Sequence, residues 1–298
     1  MSEPFRTGVI GLGSLGSRLA ELAAEHPAGQ VEAITEIDDD RRAAAGEDLS
    51  VDPASRYQDY AAMLAAEPLD AVIIATPHAL HYEQIVAALS HDLHVLCEKP
   101  LTVDIDHARD LVERDARSEQ TLMVGYQRRI EGPYRGAKEQ VASWDGSPTF
   151  LTAQITQNWI KSHRDTWRGD PALSGGGHLY DTGSHILDVI LWTSGREPTA
   201  VTASMDRWTA DSDVDIRTTM GIEFADGGVA NVSVSGDAPA VREHIRIWGE
   251  DGGVMLDGQG WNDRILRTVA PDGAERYPPV RDASPNKVAA FFEAIATG

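Results

Sequence analysis

Asp181 and His185 stand four residues apart within residues 175–192, GGGHLYDTGSHILDVILW. On a helix that spacing puts both on one face. A carboxylate beside an imidazole orients the ring and suits proton transfer near neutral pH. Lys99 is a second candidate, in the run Cys97-Glu98-Lys99-Pro100 at the end of an apolar segment. A lysine at a strand end beside a cofactor can hold a ligand hydroxyl and share its proton. Trp159, His163, Trp167 and Arg168 form a third group, without regular period, in QNWIKSHRDTWRGD at 157–170. Aromatic, imidazole and guanidinium groups on a loop beside the Asp181/His185 helix would line a polar pocket. The plainer alternatives are a polar pair satisfied on a core helix, a surface ion pair of Lys99 with Glu98, and a loop docked for stability. No carboxylate or cysteine cluster with ligand spacing accompanies His163, so no metal is expected.

The elements that must hold these groups are legible from periodicity. Leu179, Ile186, Leu187, Ile190 and Leu191 recur at three- and four-residue steps, which predicts a helix. Gly175-Gly176-Gly177 before it lets the backbone approach something closely. Near the start, an apolar strand at 7–10 runs into Gly11-Leu12-Gly13-Ser14-Leu15-Gly16 and then a helix to about residue 25. This is G-x-G-x-x-G between a strand and a helix, the phosphate-binding turn of a dinucleotide fold. A second strand, 31–35, ends at Glu36, where such a fold sets a carboxylate against the adenosine ribose. Glu36 would repel a 2′-phosphate, which favours NAD; Arg41 and Arg42 close behind soften that preference and keep NADP open. Further strands end in Thr76-Pro77-His78, with His81 beyond, in Glu98-Lys99-Pro100, and in Gly125-Tyr126-Gln127-Arg128-Arg129. Polar residues repeatedly placed at carboxyl ends of strands mark the ligand edge of an open α/β sheet.

From residue 149 the pattern changes to β-rich runs with alternation at 149–156, 201–208, 216–224, 229–235, 244–248 and 254–257. Turn signals such as Asp226-Gly227-Gly228 separate several of them. The expected fold class is an α/β Rossmann domain, a doubly wound parallel sheet, over 1–126. An α+β domain with a large, mostly antiparallel open-faced sheet follows over 127–298. One sheet face packs on helices. The other carries enough apolar residues to suggest subunit contact, so a homodimer or homotetramer through this sheet is expected.

Composition narrows the classes. The 298 residues have room for two domains, and 42% apolar content supports proper cores. The formal charge of -21, from 47 acidic and 26 basic residues, argues against a nucleic-acid partner. No apolar run is long enough for a membrane span. The start lacks a signal peptide, so a cytoplasmic location is expected. The lone Cys97 excludes an intrachain disulfide and reads as a small buried hydrophobe. The acidic clusters at 38–40 and 211–215 read as solvated surface. Lysine occurs only at positions 99, 138, 161 and 287. The balance suggests solubility at high salt; a halophilic source and a GC-rich genome both fit it.

The ordered set GLGSLG at 11–16, the acid at 36, ATPHALH at 75–81, EKP at 98–100, GYQRR at 125–129 and GGGHLYDTGSHILD at 175–188 resembles the glucose–fructose oxidoreductase / inositol dehydrogenase (Gfo/Idh/MocA) family. Motifs carry the resemblance from about residue 7 to 192, and strand pattern carries it beyond. The resemblance implies a catalytic trio of Lys99, Asp181 and His185. It implies cofactor contacts at Gly11, Gly13, Ser14, Leu15, Gly16, Glu36, Thr76, Pro77, His78, His81, Glu98 and Lys99. It further implies a sugar or polyol substrate, inositol-like or aldose, met by Lys99, Arg128, Trp159, His163, Arg168, Asp181 and His185; tryptophan faces stack on sugar C–H surfaces. Two departures stand out. Position 36 is Glu where the family more often has Asp, and members usually continue past the helix in which this sequence stops.

The expected reaction is hydride transfer from a substrate hydroxyl carbon to NAD. His185 accepts the hydroxyl proton, Lys99 hydrogen-bonds the same oxygen, and Asp181 holds a second hydroxyl or orients His185. That scheme requires Lys99 and His185 to converge on one ligand oxygen. Two rivals are a redox-assisted lyase or glycosidase with no net NADH, and a non-catalytic dinucleotide-binding regulator.

Overall fold

The computed structural model describes residues 3–207, 209 and 212–298. Trp208, read as a strand end, and Asp211, read as acidic surface, lie outside the described residues. The chain divides into two units: residues up to Gly125 together with Ser284–Gly298, and Tyr126–Ala283.

The first unit alternates strand and helix: β1 (Phe5–Ile10), α1 (Ser14–Glu25), β2 (Gly29–Thr35), α2 (Asp39–Asp48), β3 (Arg56–Tyr57), α3 (Tyr60–Ala66), β4 (Ala71–Ile74), α4 (His81–Ser90), β5 (His94–Cys97), α5 (Ile105–Asp115) and β6 (Leu122–Val124). The strands form one parallel sheet in the order β3-β2-β1-β4-β5-β6. Strand order reverses between β1 and β4, the switch point at which doubly wound sheets open a ligand crevice. Every side chain of β4 is fully buried, as its unbroken apolar run predicts for a strand covered on both faces. Aspartates begin several helices. Asp38 accepts the Arg41 N–H of α2, Asp59 the Ala61 N–H of α3, and Asp104 the Asp106 and His107 N–H groups of α5. Asp38, read as plain solvated surface, is therefore a helix cap.

The second unit contains α6 (Gly132–Ala142), β7 (Phe150–Asn158), α7 (Trp159–His163), α8 (Pro171–Ser174), α9 (Ser184–Ser194) and seven strands. These are β8 (Pro198–Arg207), β9 (Asp215–Phe224), β10 (Val229–Ser235), β11 (Asp237–Gly249), β12 (Gly252–Gln259), β13 (Asp263–Val269) and β14 (Glu275–Arg276). The sheet runs β14-β13-β12-β11-β7-β10-β9-β8, antiparallel except for the β7–β10 pair. One face buries Leu151, Ala153, Ile155, Val232, Ile245 and Ile247 against Tyr134 and Ala137 of α6 and Ile186, Val189 and Ile190 of α9. The periodicity assigned no strand to 263–269 or 275–276. Arginines interrupt the first, whose one buried hydrophobic residue is Leu266, and the second is two residues long.

The last helix, α10 (Lys287–Thr297), corrects the expected division. Residues 284–298 were assigned to the second domain, yet they pack in the first unit. Val288, Phe291 and Phe292 are buried with Val9, Leu19 and Ile34, and Phe292 stacks on Phe5 with centroids 5.8 Å apart. Two adjacent phenylalanines demand a core, and the flank of α1 and β1 supplies it.

Candidate active site

In the first unit the glycine turn is shaped for a dinucleotide. Gly11 has φ +88, which disfavours any residue with a Cβ. A Cβ on Gly16 would lie 1.9 Å from the Gly11 carbonyl oxygen, so α1 can approach the turn only with glycine there. A Cβ on Gly13 meets nothing within 4 Å. Gly13 caps α1 without a side-chain hydrogen bond, so the first N–H groups of the helix are left for an anion. Ser14 and Leu15 open α1, and Leu15 is exposed. These residues fit a pyrophosphate.

Glu36 is buried, and its carboxylate is already engaged. Oε2 accepts the Leu12 N–H at 2.8 Å, Oε1 accepts the Asp38 N–H at 3.1 Å, and the Arg41 guanidinium lies 3.5 Å from Oε1. Arg42 donates to the Glu36 carbonyl at 2.6 Å. The repulsion expected toward a 2′-phosphate is thus partly cancelled by two arginines drawn onto the same residue.

The other strand ends divide into two kinds. Thr76 donates to Gln84 at 2.6 Å, and Pro77 leads into a short turn holding the buried His78. His81 is fully buried, with Nδ1 facing the Pro100 carbonyl at 2.8 Å and Nε2 facing the Thr76 carbonyl at 3.0 Å. Burial pushes its imidazole below the ordinary value, against the pull of the two carbonyls. Expected as a cofactor contact, His81 instead ties two strand ends together. Glu98, also expected at the cofactor, spends its buried carboxylate on an ion pair with Lys287 of α10. The Lys99 backbone N–H also donates to Glu98 Oε2, at 3.3 Å. Lys99 is half-buried directly after β5. Cys97 is buried, and burial pushes its thiol well up, as fits an inert hydrophobe.

In the second unit the helix over 175–192 is not continuous. A single π turn, Leu179–Gly183, carries Asp181, and α9 starts only at Ser184. π turns inside helices often mark functional positions. Asp215 anchors the start: Oδ1 accepts the Gly177 N–H and Oδ2 accepts the Leu179 N–H, each at 2.8 Å. A Cβ on Gly177 would lie 1.9 Å from the Asp215 carbonyl oxygen, so the close approach that the triple glycine permits is to β9. Asp215 was read as solvated surface; it caps the start of the segment that carries Asp181.

Asp181 and His185 are both buried. Asp181 Oδ2 accepts the Trp159 indole N–H at 2.8 Å and the Arg168 Nε–H at 3.1 Å. Trp159 is fully buried, so the expectation of an indole face stacked on substrate fails; the indole contributes its N–H instead. The irregular 157–170 segment is partly helical, with Trp159 opening α7 and Arg168 in a 3₁₀ turn at Trp167–Gly169. His163 lies edge-on to Trp159 at 5.5 Å, and the Arg168 guanidinium lies 4.3 Å from the Trp167 ring centre.

The GYQRR run turns out to position α9. Arg128, expected to meet substrate, is buried and ion-paired with Glu243 of β11, with Tyr134 and Arg264 in the same network. A buried guanidinium needs such partners, and β11 supplies the carboxylate. Arg129 grips Asp188 of α9 at 2.6 Å. The Tyr126 ring meets the His185 ring edge-on at 5.8 Å. Burial pushes the Tyr126 phenol up to about 12. The sequence reading placed Tyr126 only in a polar strand end and Asp215 only on acidic surface, and gave Glu243 and Lys287 no role. All act through tertiary contacts, and only the Tyr126 run carried a motif.

A phosphate-cradling parallel sheet and a second unit bearing a buried carboxylate–imidazole pair define a dinucleotide-dependent oxidoreductase class. The family described as "Oxidoreductase family, NAD-binding Rossmann fold" matches residues 5–126, and its GFO/IDH/MocA C-terminal domain matches 134–255. The chain belongs to the Gfo/Idh/MocA oxidoreductase family. It is 30% identical over 297 residues to D-xylose 1-dehydrogenase (NADP(+)) 2 of Haloferax volcanii, spanning 98% of this chain and 89% of that protein. It is 31% identical over 204 residues to an inositol 2-dehydrogenase of Corynebacterium glutamicum, spanning 67% of this chain and 57% of that protein. Among solved structures, aldose-aldose oxidoreductase from Caulobacter crescentus, complexed with glycerol, matches with TM-score 0.86 at 21% identity, over 99% of this chain and 89% of that one. That likeness shows the fold. Among the described residues, no helix is long and apolar enough to cross a membrane.

Proposed function

We propose that this oxidoreductase oxidises a hydroxyl of a sugar or polyol, of the aldose or inositol kind. NAD or NADP, when bound, supplies the hydride acceptor. His185 takes the hydroxyl proton as general base, Lys99 donates a hydrogen bond to the developing alkoxide, and Asp181 accepts from a neighbouring substrate hydroxyl or orients His185. The observation that carries the reading is retention of all three proton-handling side chains alongside the open Gly13 cradle. A mere dinucleotide sensor needs the cradle and none of the three. The names of the relatives, a xylose and an inositol dehydrogenase, support the substrate class.

A panel of aldoses and inositols with NAD and with NADP, followed by absorbance of reduced nicotinamide, tests it. His185→Ala and Lys99→Ala should each lower turnover by about 10² to 10⁴ while dinucleotide binding survives. Near-wild-type turnover in both variants refutes the assignment. Product formation without reduced nicotinamide selects the redox-assisted lyase or glycosidase instead.

Self-association belongs to the same proposal. Phe150, Val229 and Ile265 lie exposed on the outward sheet face, and Val201 and Met205 are exposed on the edge strand β8. Such a patch favours a second copy of the chain, as a homodimer or homotetramer. Light scattering of wild type and Val229→Asp tests it: a monomeric wild type overturns it.

A further inference from the structure

Asp181 is held by two donors of different character. Trp159 supplies a neutral, rigid one. Its ring is fully buried with Ile160, Val214 and Ile216, and the Ile160 N–H is pinned to the Gly236 carbonyl at 3.0 Å. The indole has only one N–H and cannot accept, so it defines where Asp181 Oδ2 must lie. Arg168 supplies a charged, partly exposed one. Its 3₁₀ turn is capped by Thr166, whose Oγ1 accepts the Arg168 N–H at 3.3 Å, and its guanidinium stacks on Trp167. Both donors converge on one oxygen of a carboxylate carried by a π turn.

A buried carboxylate is costly unless hydrogen-bonded and charge-compensated. The indole N–H alone meets the first need, and a lysine elsewhere would meet the second. A guanidinium donating Nε–H to the same oxygen meets both. We propose that Trp159 and Arg168 are positioning residues that lock the orientation of Asp181 for the reaction, rather than contacts for substrate. This rests on the proposed dehydrogenase reading.

The test measures kcat, KM and dinucleotide affinity for wild type, Arg168→Ala, Arg168→Lys and Trp159→Phe, on the sugar or polyol that wild type uses best. Phe keeps an apolar aromatic ring at this buried position and removes the donor, although it fills less of the space than the indole. Arg168→Ala should lower kcat about 10- to 100-fold, the loss of a charge-assisted hydrogen bond expressed as rate. Trp159→Phe should lower it about 3- to 10-fold for a neutral donor. Dinucleotide affinity should stay within about twofold in both, since both residues belong to the second unit and the glycine turn to the first. Arg168→Lys should fall between wild type and Ala, and millimolar guanidinium should restore part of the Ala variant's turnover without stimulating wild type. If wild type is active and Trp159→Phe keeps its kcat, the proposal is overturned. It is overturned equally if the Arg168→Ala loss appears only in KM or resists guanidinium. A wild type inert across the whole panel overturns the dehydrogenase reading itself, which separates the two failures.

Discussion

The Asp215 carboxylate spans the entry to the Asp181 segment, one oxygen on the Gly177 N–H and the other on the Leu179 N–H. It joins β9 to the π turn that carries Asp181, so a residue with no part in proton transfer sets where that turn begins. Replacing it by Ala strands two N–H groups. Asp215→Ala should cost about 1–3 kcal/mol of second-unit stability, read by urea unfolding, and should lower turnover without weakening dinucleotide binding. Unchanged stability would mean water replaces the cap at no cost.

The cofactor question turns on Arg41. With Glu36 engaged by two backbone N–H groups and flanked by Arg41 and Arg42, the chain should bind both dinucleotides. Arg41→Ala should weaken NADP about 10- to 100-fold and NAD by less than about threefold, measured as Kd by fluorescence titration. Equal losses for both would remove Arg41 from 2′-phosphate recognition.

Acid should unfold the second unit through Glu243. Burial pushes this carboxyl up, but Arg128 and Arg264 and the Tyr134 hydroxyl pull harder, so its folded value lies below the ordinary 4.5. The stability it contributes is therefore complete above pH 4.5 and lost as pH falls through the lowered folded value. Glu131 works the other way, since burial raises its carboxyl. Glu243→Gln should flatten the fall in stability below pH 4.5, read as midpoint denaturant against pH. Glu243→Ala should cost about 3–5 kcal/mol at neutral pH by leaving Arg128 buried without its anion.

Lys287 should matter more to the first unit than its place near the chain end suggests. It neutralises Glu98, a buried carboxylate next to Lys99. Lys287→Met should destabilise the unit by about 3–5 kcal/mol, whereas Lys99→Met should abolish turnover with little effect on unfolding. The reverse pattern would make Lys99 the structural cation.

Salt offers a last check. With a net charge of -21, the chain should gain stability as molar KCl screens repulsion. A midpoint that peaks in low-salt buffer and falls with added salt would contradict a halophilic origin, which the similarity to a Haloferax protein otherwise fits.

Much of this protein lies in local pattern. Gly11, Gly13 and Gly16 between a strand and a helix form a pattern that points to a phosphate turn, and the backbone geometry itself demands glycine at Gly11 and Gly16. The buried run of β4 and the alternation of β7 and β10 likewise point to a sheet covered on both faces and a sheet with one buried face. The Asp181/His185 pair and Lys99 were visible as residue types at telling positions. Tertiary structure alone decided what holds them. Glu243 lies 115 residues from Arg128, and Lys287 lies 189 from Glu98. Asp215 lies 38 from Gly177, and the Trp159 indole turns inward to Asp181 instead of outward to a ligand. A charge or an indole in a sequence announces only that it needs a partner. Which partner it meets depends on where sheet register and helix packing bring distant segments, and no local period encodes that.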